Sequence, residues 1–196
     1  TAKAPTSALD AKMGVHFMKT HADEYGIHPE NIFLMGDSSG GHTAMMAAFS
    51  YGISELEEEL TKSDKSTVKG VIDLFGPTNF ATMNDEPSSQ DHRTPDSPEG
   101  CEIGGKPVLL HPELVKPATI ATYVQRDREL PPILMFHGSN DELVPFGQSC
   151  ELYEALKNAG KEATFYQVLN AHHGGREFWT NEVLDIEEQF IRNLCQ

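Results

Sequence analysis

Four short apolar runs along the chain predict four buried β-strands. The runs are NIFLMG (31–36), VKGVIDLFG (68–76), PPILMFHG (131–138) and ATFYQVL (163–169). The first three are almost continuously apolar, which is typical of strands covered on both faces of a parallel sheet. The fourth alternates more between apolar and polar positions, which indicates a strand nearer the edge of the sheet.

A helical pattern precedes the first of these runs. Apolar side chains recur every three or four positions there, at Ala11, Val15, Met18, Ala22 and Tyr25. Ser7 and Asp10 resemble a capping box, and Gly26 is a residue type that commonly ends helices. The pattern therefore predicts one helix over residues 7–25.

Three further helices are predicted over residues 43–50, 147–158 and 181–193, the last of them capped by Thr180. Because strands and helices alternate, we expect a single α/β domain over 1–196, with a parallel sheet and helices on both faces. The stretch 84–107 is rich in Pro, Ser, Asp and Gly. It is predicted to be a long loop or a lid-like insertion, with a loose surface excursion as the alternative.

The charge of the chain restricts its partners. Its 196 residues carry a formal net charge of −15 at pH 7, which argues against a nucleic-acid partner. No apolar run approaches the ~20 residues of a transmembrane helix, so no membrane partner is expected. Three scattered cysteines, Cys101, Cys150 and Cys195, show no metal-ligand spacing. The compartment is left open between cytoplasmic and secreted.

The sequence Gly36-Asp37-Ser38-Ser39-Gly40 matches the pattern G-x-S-x-G. It lies between a predicted strand and a predicted helix, which is the setting of the nucleophile elbow of hydrolases. Such a turn strains the serine backbone and presents the hydroxyl above the sheet, near a helix N-terminus that favours negative charge. Ser38 is therefore the candidate nucleophile.

A serine hydroxyl needs a base to act as a nucleophile, and the base needs an orienting carboxylate. Asp141 follows the third apolar run, and His172 and His173 follow the fourth. All of these residues are expected at the carboxyl ends of parallel strands, where open α/β sheets build their sites. Serine, acid and histidine also stand in the chain order of hydrolases with this architecture.

Four stretches carry a resemblance to a known family: GDSSGGH, VIDLFGPTNF, PPILMFHGSNDELVPFGQSCELYEALKNAG and AHHGGREFW. Together they resemble the C-terminal part of an α/β-hydrolase fold esterase. The group includes feruloyl, acetyl-xylan and other carbohydrate-ester esterases and the hormone-sensitive-lipase-like enzymes. The resemblance implies that Ser38 is the nucleophile and Asp141 the acid. It implies His173 as the base, because the family's histidine directly precedes a glycine, here Gly174.

The resemblance also implies the chemistry. A serine carboxylesterase of this kind hydrolyses short-acyl or feruloyl esters, on plant polysaccharides among other alcohols, through an acyl-enzyme and without a metal or organic cofactor. The backbone N–H of Ser39 is the implied donor to the oxyanion. The family's second donor comes from an HGGG-like loop, and no such sequence precedes Ser38.

The beginning of the chain leads to a further expectation. It starts at Thr1, and no strand is predicted before NIFLMG. That apolar strand is therefore expected at an edge of the sheet, where it is open to pairing with another chain. We expect a fragment that lacks the N-terminal strands, its open edge covered by the missing segment or by a second copy in a homo-oligomer.

Two other functions compete with the esterase. A prolyl-oligopeptidase-like serine peptidase fits HGSNDELVPFGQS equally well, but GDSSGGH and the absence of a propeller domain favour the esterase. A catalytically impaired fragment acting as a structural or binding domain explains the absent oxyanion loop, although the intact triad argues against it. A metal site at His172 and His173 is disfavoured, because adjacent histidines cannot easily both bind one ion.

Overall fold

The computed structural model describes residues 4–57 and 68–196, and its centre is a sheet of four parallel strands. The strands are β1 (Phe33–Asp37), β2 (Gly70–Leu74), β3 (Ile133–Gly138) and β4 (Ala163–Val168). They lie side by side in the order β1-β2-β3-β4, and every neighbouring pair is parallel. The predicted parallel α/β sheet is confirmed.

Seven α-helices accompany the sheet within the described ranges. They are α1 (Thr6–Thr20), α2 (Ala22–Tyr25), α3 (Ser39–Phe49), α4 (Pro98–Glu102), α5 (Pro112–Val115), α6 (Gly147–Asn158) and α7 (Asn181–Leu194). The last two match the predicted helices closely, and Thr180 caps α7 by accepting a hydrogen bond from the Val183 N–H. None of the helices in this part of the chain has the length and apolar character to cross a bilayer.

The single helix predicted over 7–25 is wrong in two respects. The chain forms two helices, separated at His21, whose imidazole bonds to the Phe17 carbonyl and whose backbone departs from helical angles. The expected capping box is absent as well. Pro5 occupies the N-cap position, so Ser7 lies inside the first turn and caps nothing. Gly26 ends α2 in the left-handed conformation, as predicted.

The second predicted helix, over residues 43–50, starts earlier than its apolar pattern suggests. The pattern predicts a start at residue 43, yet α3 begins at Ser39, directly after the turn that leaves β1. Gly40 and Gly41 have low intrinsic helix propensity, which hides this first turn from a propensity-based prediction. Tertiary contacts with the sheet override that propensity, so that the helix begins immediately after Ser38.

The sheet carries a hydrophobic core on each face. One core joins α1, α3 and α6 to Val71, Ile133 and Met135 of the sheet. The other joins α7 to Ile72, Leu134 and Phe136. Neighbouring residues of one strand thus pack in the cores on opposite faces of the sheet, because successive side chains of a strand point to opposite faces.

The strands β1 and β4 form the two edges of the described sheet. The edge position predicted for the first strand is therefore confirmed. Met35, in the middle of β1, is 45% exposed, whereas the residues of β2 and β3 are buried throughout.

The long connection between β2 and β3 builds a third cluster of buried side chains. Its members are Phe80, Ile103, Val108, Val115 and Ala118. The stretch 84–107 belongs to this connection and contains α4, together with the buried side chains of His92 and Glu99. Backbone and side-chain hydrogen bonds from Ser88 and Ser89 fasten it to the turn that follows β3.

Asp73 is a fully buried carboxyl group on β2. Its Oδ1 atom accepts a hydrogen bond from the Gly76 N–H at 3.1 Å, and Oδ2 has no hydrogen-bond partner among the residues that the structure describes. Burial raises the pKa of Asp73 from 3.8 to about 7, against the smaller lowering effect of the Gly76 N–H. The folded protein thus holds a proton on Asp73 that the unfolded chain releases, so the contribution of Asp73 to stability falls as the pH rises from about 4 to about 7.

We expect Asp73→Asn to remove this pH dependence. The free energy of unfolding of the variant should match that of the wild type near pH 4 and exceed it by about 1–3 kcal/mol at pH 8, because no ionised carboxylate is buried. Urea denaturation at pH 4, 6 and 8 measures the difference. Asp185→Asn, which changes an exposed carboxylate on α7, is the control. A difference that is constant across the three pH values contradicts the assignment to Asp73.

Candidate active site

A sharp turn between β1 and α3 presents Ser38. The serine has φ 51° and ψ −123°, a backbone conformation that a residue with a Cβ rarely adopts. Its N–H donates to the Leu74 carbonyl at 2.9 Å, which ties the turn to the end of β2. The strained turn expected from the G-x-S-x-G pattern is present.

Gly36 makes this turn possible. A Cβ at Gly36 would lie 2.3 Å from the carbonyl carbon and oxygen of Gly40 and 2.8 Å from the Gly41 nitrogen. A Cβ at Gly40 would meet its nearest neighbour, Asp37 Oδ1, at 3.7 Å, an ordinary contact. The first glycine of the motif therefore carries the steric constraint, because β1 and α3 cross too closely there for any side chain.

Ser38, Asp141 and His173 meet beyond the carboxyl ends of β1, β3 and β4. Ser38 Oγ lies 2.8 Å from His173 Nε2, and His173 Nδ1 lies 2.8 Å from Asp141 Oδ2. A carboxylate only accepts hydrogen bonds, so Nδ1 carries the proton and Nε2 is free to accept the proton of Ser38. The imidazole of His173 also packs edge-on against Phe75, with 4.9 Å between ring centroids.

The two adjacent histidines lie in different surroundings. His172 is exposed, and its Nδ1 is 2.9 Å from Glu142 Oε2. The side chain of His173 is only 15% exposed and lies against Ser38. The structure thus brings His173, and not His172, to the serine. No set of three His, Cys, Asp or Glu side chains in residues 4–57 and 68–196 is arranged to hold a metal ion.

Asp141 is a buried carboxylate with donors around both oxygens. Oδ1 accepts hydrogen bonds from the N–H groups of Leu143 and Val144, each at 2.9 Å. Oδ2 faces His173 Nδ1 at 2.8 Å and His137 Nε2 at 3.2 Å. Burial acts to raise the pKa of Asp141, but the hydrogen bonds from His137, His173 and the Leu143 N–H outweigh burial and hold that pKa well below its usual range. Asp141 is therefore ionised at neutral pH.

Ser39 is the first residue of α3. Its N–H has no acceptor inside the helix, and the N-terminus of a helix carries partial positive charge. The residue directly follows Ser38 in the chain.

Two residues at the site are not apparent from the motifs. His137 is fully buried at the end of β3 and contacts Asp141. A histidine inside the apolar run PPILMFHG is a signal that could have identified it, because a buried imidazole requires polar partners. Phe75, which packs on His173, has a φ of 46°. No pattern in the sequence indicates that conformation.

The parallel sheet, the strained serine turn and the Ser38–His173–Asp141 arrangement define the class of an α/β-hydrolase. Comparison with known proteins gives the family. The BD-FAE family model matches residues 1–156, which is most of the chain. The chain belongs to the BD-FAE family of α/β-hydrolase esterases.

A curated relative of the chain is the esterase LipQ of Mycobacterium tuberculosis. The two proteins are 29% identical over 185 residues, a region that covers 86% of this chain and 38% of LipQ. This chain thus spans about two fifths of the length of the curated relatives that it matches.

Solved structures of esterases share the fold. A truncated carbohydrate esterase from gut microbiota has a TM-score of 0.86 and 29% identity, with coverage of 98% of this chain and 70% of that chain. A butyrate-bound thermophilic esterase from Thermogutta terrifontis has a TM-score of 0.72 and 25% identity, with coverage of 99% and 67%. The α/β-hydrolase fold implied by the sequence resemblance is confirmed.

We expect Gly36→Ala to destabilise the protein by about 2–4 kcal/mol, because the new Cβ forces β1 away from α3. Gly14→Ala is the matched control, since a Cβ at Gly14 in α1 meets nothing within 4 Å. That second variant should stabilise the helix by about 0.5–1 kcal/mol. Urea denaturation of both variants measures these changes. Wild-type stability in Gly36→Ala is incompatible with the close crossing described above.

Proposed function

We propose that this chain is a serine carboxylesterase with Ser38 as nucleophile, His173 as general base and Asp141 as the acid that orients the base. The observation that supports it is the continuous hydrogen-bonded line from Ser38 Oγ through His173 to Asp141, with 2.8 Å at each step. As Oγ attacks the ester carbonyl carbon, Nε2 accepts its proton. Asp141 keeps the ring in the required tautomer and stabilises the imidazolium that forms.

The remaining steps follow from the same atoms. The tetrahedral intermediate carries negative charge on the former carbonyl oxygen, where the Ser39 N–H donates a hydrogen bond. The imidazolium then gives its proton to the departing alkoxide, the alcohol leaves, and an acyl group remains on Ser38. Water attacks that acyl carbon while His173 takes its proton. The bond to Ser38 Oγ then breaks, the carboxylic acid product leaves, and the imidazolium returns the proton to Oγ. No step requires a metal or an organic cofactor.

The proposed substrates are esters of short acyl or feruloyl groups with a carbohydrate as the alcohol. Two structural neighbours support this class. One is named a carbohydrate esterase, and the other was solved with butyrate, a short carboxylate, bound. The feruloyl group and plant polysaccharides rest on the sequence resemblance.

We expect the wild-type chain to hydrolyse p-nitrophenyl acetate and Ser38→Ala to lose about 10³-fold or more of that rate, because the nucleophile is gone. Release of p-nitrophenol measures turnover, and labelling by a fluorophosphonate, located by peptide mass spectrometry, measures the reactivity of Ser38. Equal hydrolysis by the wild type and Ser38→Ala overturns the proposal.

The same assay separates the competing functions. Labelling of Ser38 without ester turnover supports a catalytically impaired domain. Faster cleavage of a proline-containing peptide amide than of the ester supports a peptidase.

We also expect Asp141→Asn to lower kcat by about 10³–10⁴-fold while leaving KM within about twofold, because an amide cannot hold the required tautomer of His173. The neighbouring Glu142→Gln is the matched control, since its side chain is exposed and pairs with His172. It should keep kcat within about threefold of the wild type. Initial rates across p-nitrophenyl acetate concentrations separate kcat from KM. Similar losses in both variants argue against a special role for Asp141.

A further inference from the structure

Two consecutive peptide groups bind the carboxylate of Asp141. The N–H groups of Leu143 and Val144 both donate to Oδ1 at 2.9 Å. The carbonyl of each of these residues is bound in turn by a buried histidine, one from the sheet and one from the long β2–β3 connection. The turn that binds Asp141 is thus held by β3 through one histidine and by the β2–β3 connection through the other.

The Val144 carbonyl is bound by His137. Its Nε2 lies 2.9 Å from the Val144 oxygen and, on the same side of the ring, 3.2 Å from Asp141 Oδ2. A carbonyl only accepts, so the proton of His137 is on Nε2. The other ring nitrogen, Nδ1, is 2.7 Å from Ser149 Oγ on α6, and this hydroxyl donates to it. Ser149 therefore fixes the tautomer that directs the N–H at the turn.

The Leu143 carbonyl is bound by His92, which lies 51 residues earlier in the chain. Its Nε2 is 3.0 Å from the Leu143 oxygen, and Ser88 Oγ donates to the same oxygen at 2.8 Å. His92 Nδ1 is 2.9 Å from the buried carboxylate of Glu99 on α4. Burial acts to lower the pKa of His92, but the ion pair with Glu99 outweighs burial and raises that pKa.

We propose that His137 and His92 are positioning residues for Asp141. They hold the carbonyls of Val144 and Leu143 and thereby direct the neighbouring N–H groups at Oδ1. The proposal rests on the function proposed above for Ser38, His173 and Asp141.

Two physical effects link the histidines to the acid. The Leu143 carbonyl and the Val144 N–H belong to one peptide group, so the bonds that this carbonyl accepts from His92 and Ser88 polarise the group and strengthen its donation to Asp141. The Val144 carbonyl is bonded to the nitrogen of Pro145, which has no N–H, so His137 acts by fixing the position of the turn and by its own contact with Asp141 Oδ2. The fixed carboxylate then sets the orientation of the His173 ring, on which proton transfer depends.

The test removes each donor while keeping a ring in its place. The variants are His137→Phe and the double variant His92→Phe with Glu99→Gln, the second change avoiding an unpaired buried carboxylate. The conservative variants His137→Gln and His92→Gln keep an N–H donor. Tyr123→Phe is the matched control, because the buried Tyr123 hydroxyl donates to the Pro117 carbonyl at 2.6 Å, outside the acid turn.

We expect both phenylalanine variants to lower kcat for p-nitrophenyl acetate by about 10–100-fold with KM within about twofold, because a misplaced acid affects the chemical step. The glutamine variants should recover most of that loss, and Tyr123→Phe should keep the wild-type kcat although it also loses a buried hydrogen bond. Thermal denaturation of the wild type and the five variants shows whether stability alone explains the rates.

A second measurement requires no turnover. The Nδ1 proton of His173 is hydrogen-bonded to Asp141, so it should give a resolved downfield proton NMR signal in the wild type and in Ser38→Ala. We expect this signal to weaken or move upfield in the phenylalanine variants and to persist in Tyr123→Phe. Folded phenylalanine variants with the wild-type signal overturn the positioning role, whatever their activity.

The outcomes separate this inference from the proposed function. If the wild type and Ser38→Ala hydrolyse the ester equally, the esterase proposal fails, and the NMR signal still tests the positioning of Asp141. If the phenylalanine variants do not fold, Ser149→Ala takes their place, because it frees the tautomer of His137. An unchanged kcat and an unchanged signal in Ser149→Ala contradict the role of His137.

Discussion

The close crossing of β1 and α3 at Gly36 is the constraint on which the site depends. The strand and the helix are nearly in backbone contact there, so the intervening residue must turn within a single step and adopt a positive φ. Ser38 bears that conformation because hydrogen bonds hold both its sides: its N–H to Leu74, and its carbonyl to the His42 N–H at 3.2 Å. Strain of this kind persists only where the surrounding structure over-determines it.

Two buried carboxyl groups of this protein, those of Asp141 and Asp73, differ in how readily they ionise. Asp141 is buried with donors around both oxygens and remains charged, whereas Asp73 is buried with one oxygen unpartnered and tends to keep its proton. Burial opposes the charged form of both groups, so the difference arises from the number of donors that each receives. A fixed negative charge beside an imidazole is therefore a property of the turn around Asp141.

The sequence was sufficient for the features that depend on local pattern. Four apolar runs predicted the strands, and G-x-S-x-G between a strand and a helix indicated Ser38. Both succeed because burial and turn geometry restrict the types of residues that are adjacent in the sequence. The break at His21 was not predictable, because neither Gly nor Pro marks it; the His21 N–H keeps the helical bond to the Phe17 carbonyl, and its imidazole binds the same oxygen. The contact of His92 with the turn was not predictable for a different reason. Its partner Leu143 lies 51 residues away in the chain, so no local pattern indicates it.

The stretch 84–107 shows the limit of composition as a guide. Its proline, serine and aspartate content is that of a solvent-exposed loop, yet Ser97 and Glu99 are buried in it and Ser88, Ser89 and His92 bond to the turn at 142–143. Polar side chains can be buried when they are hydrogen-bonded. Here the hydrogen bonds supply donors to the carbonyls of residues 142 and 143, which would otherwise lack them. The connection therefore constrains the position of the Asp141 carboxylate as well as covering the sheet. Substitutions within it are expected to shift Asp141 through the peptide groups of the turn.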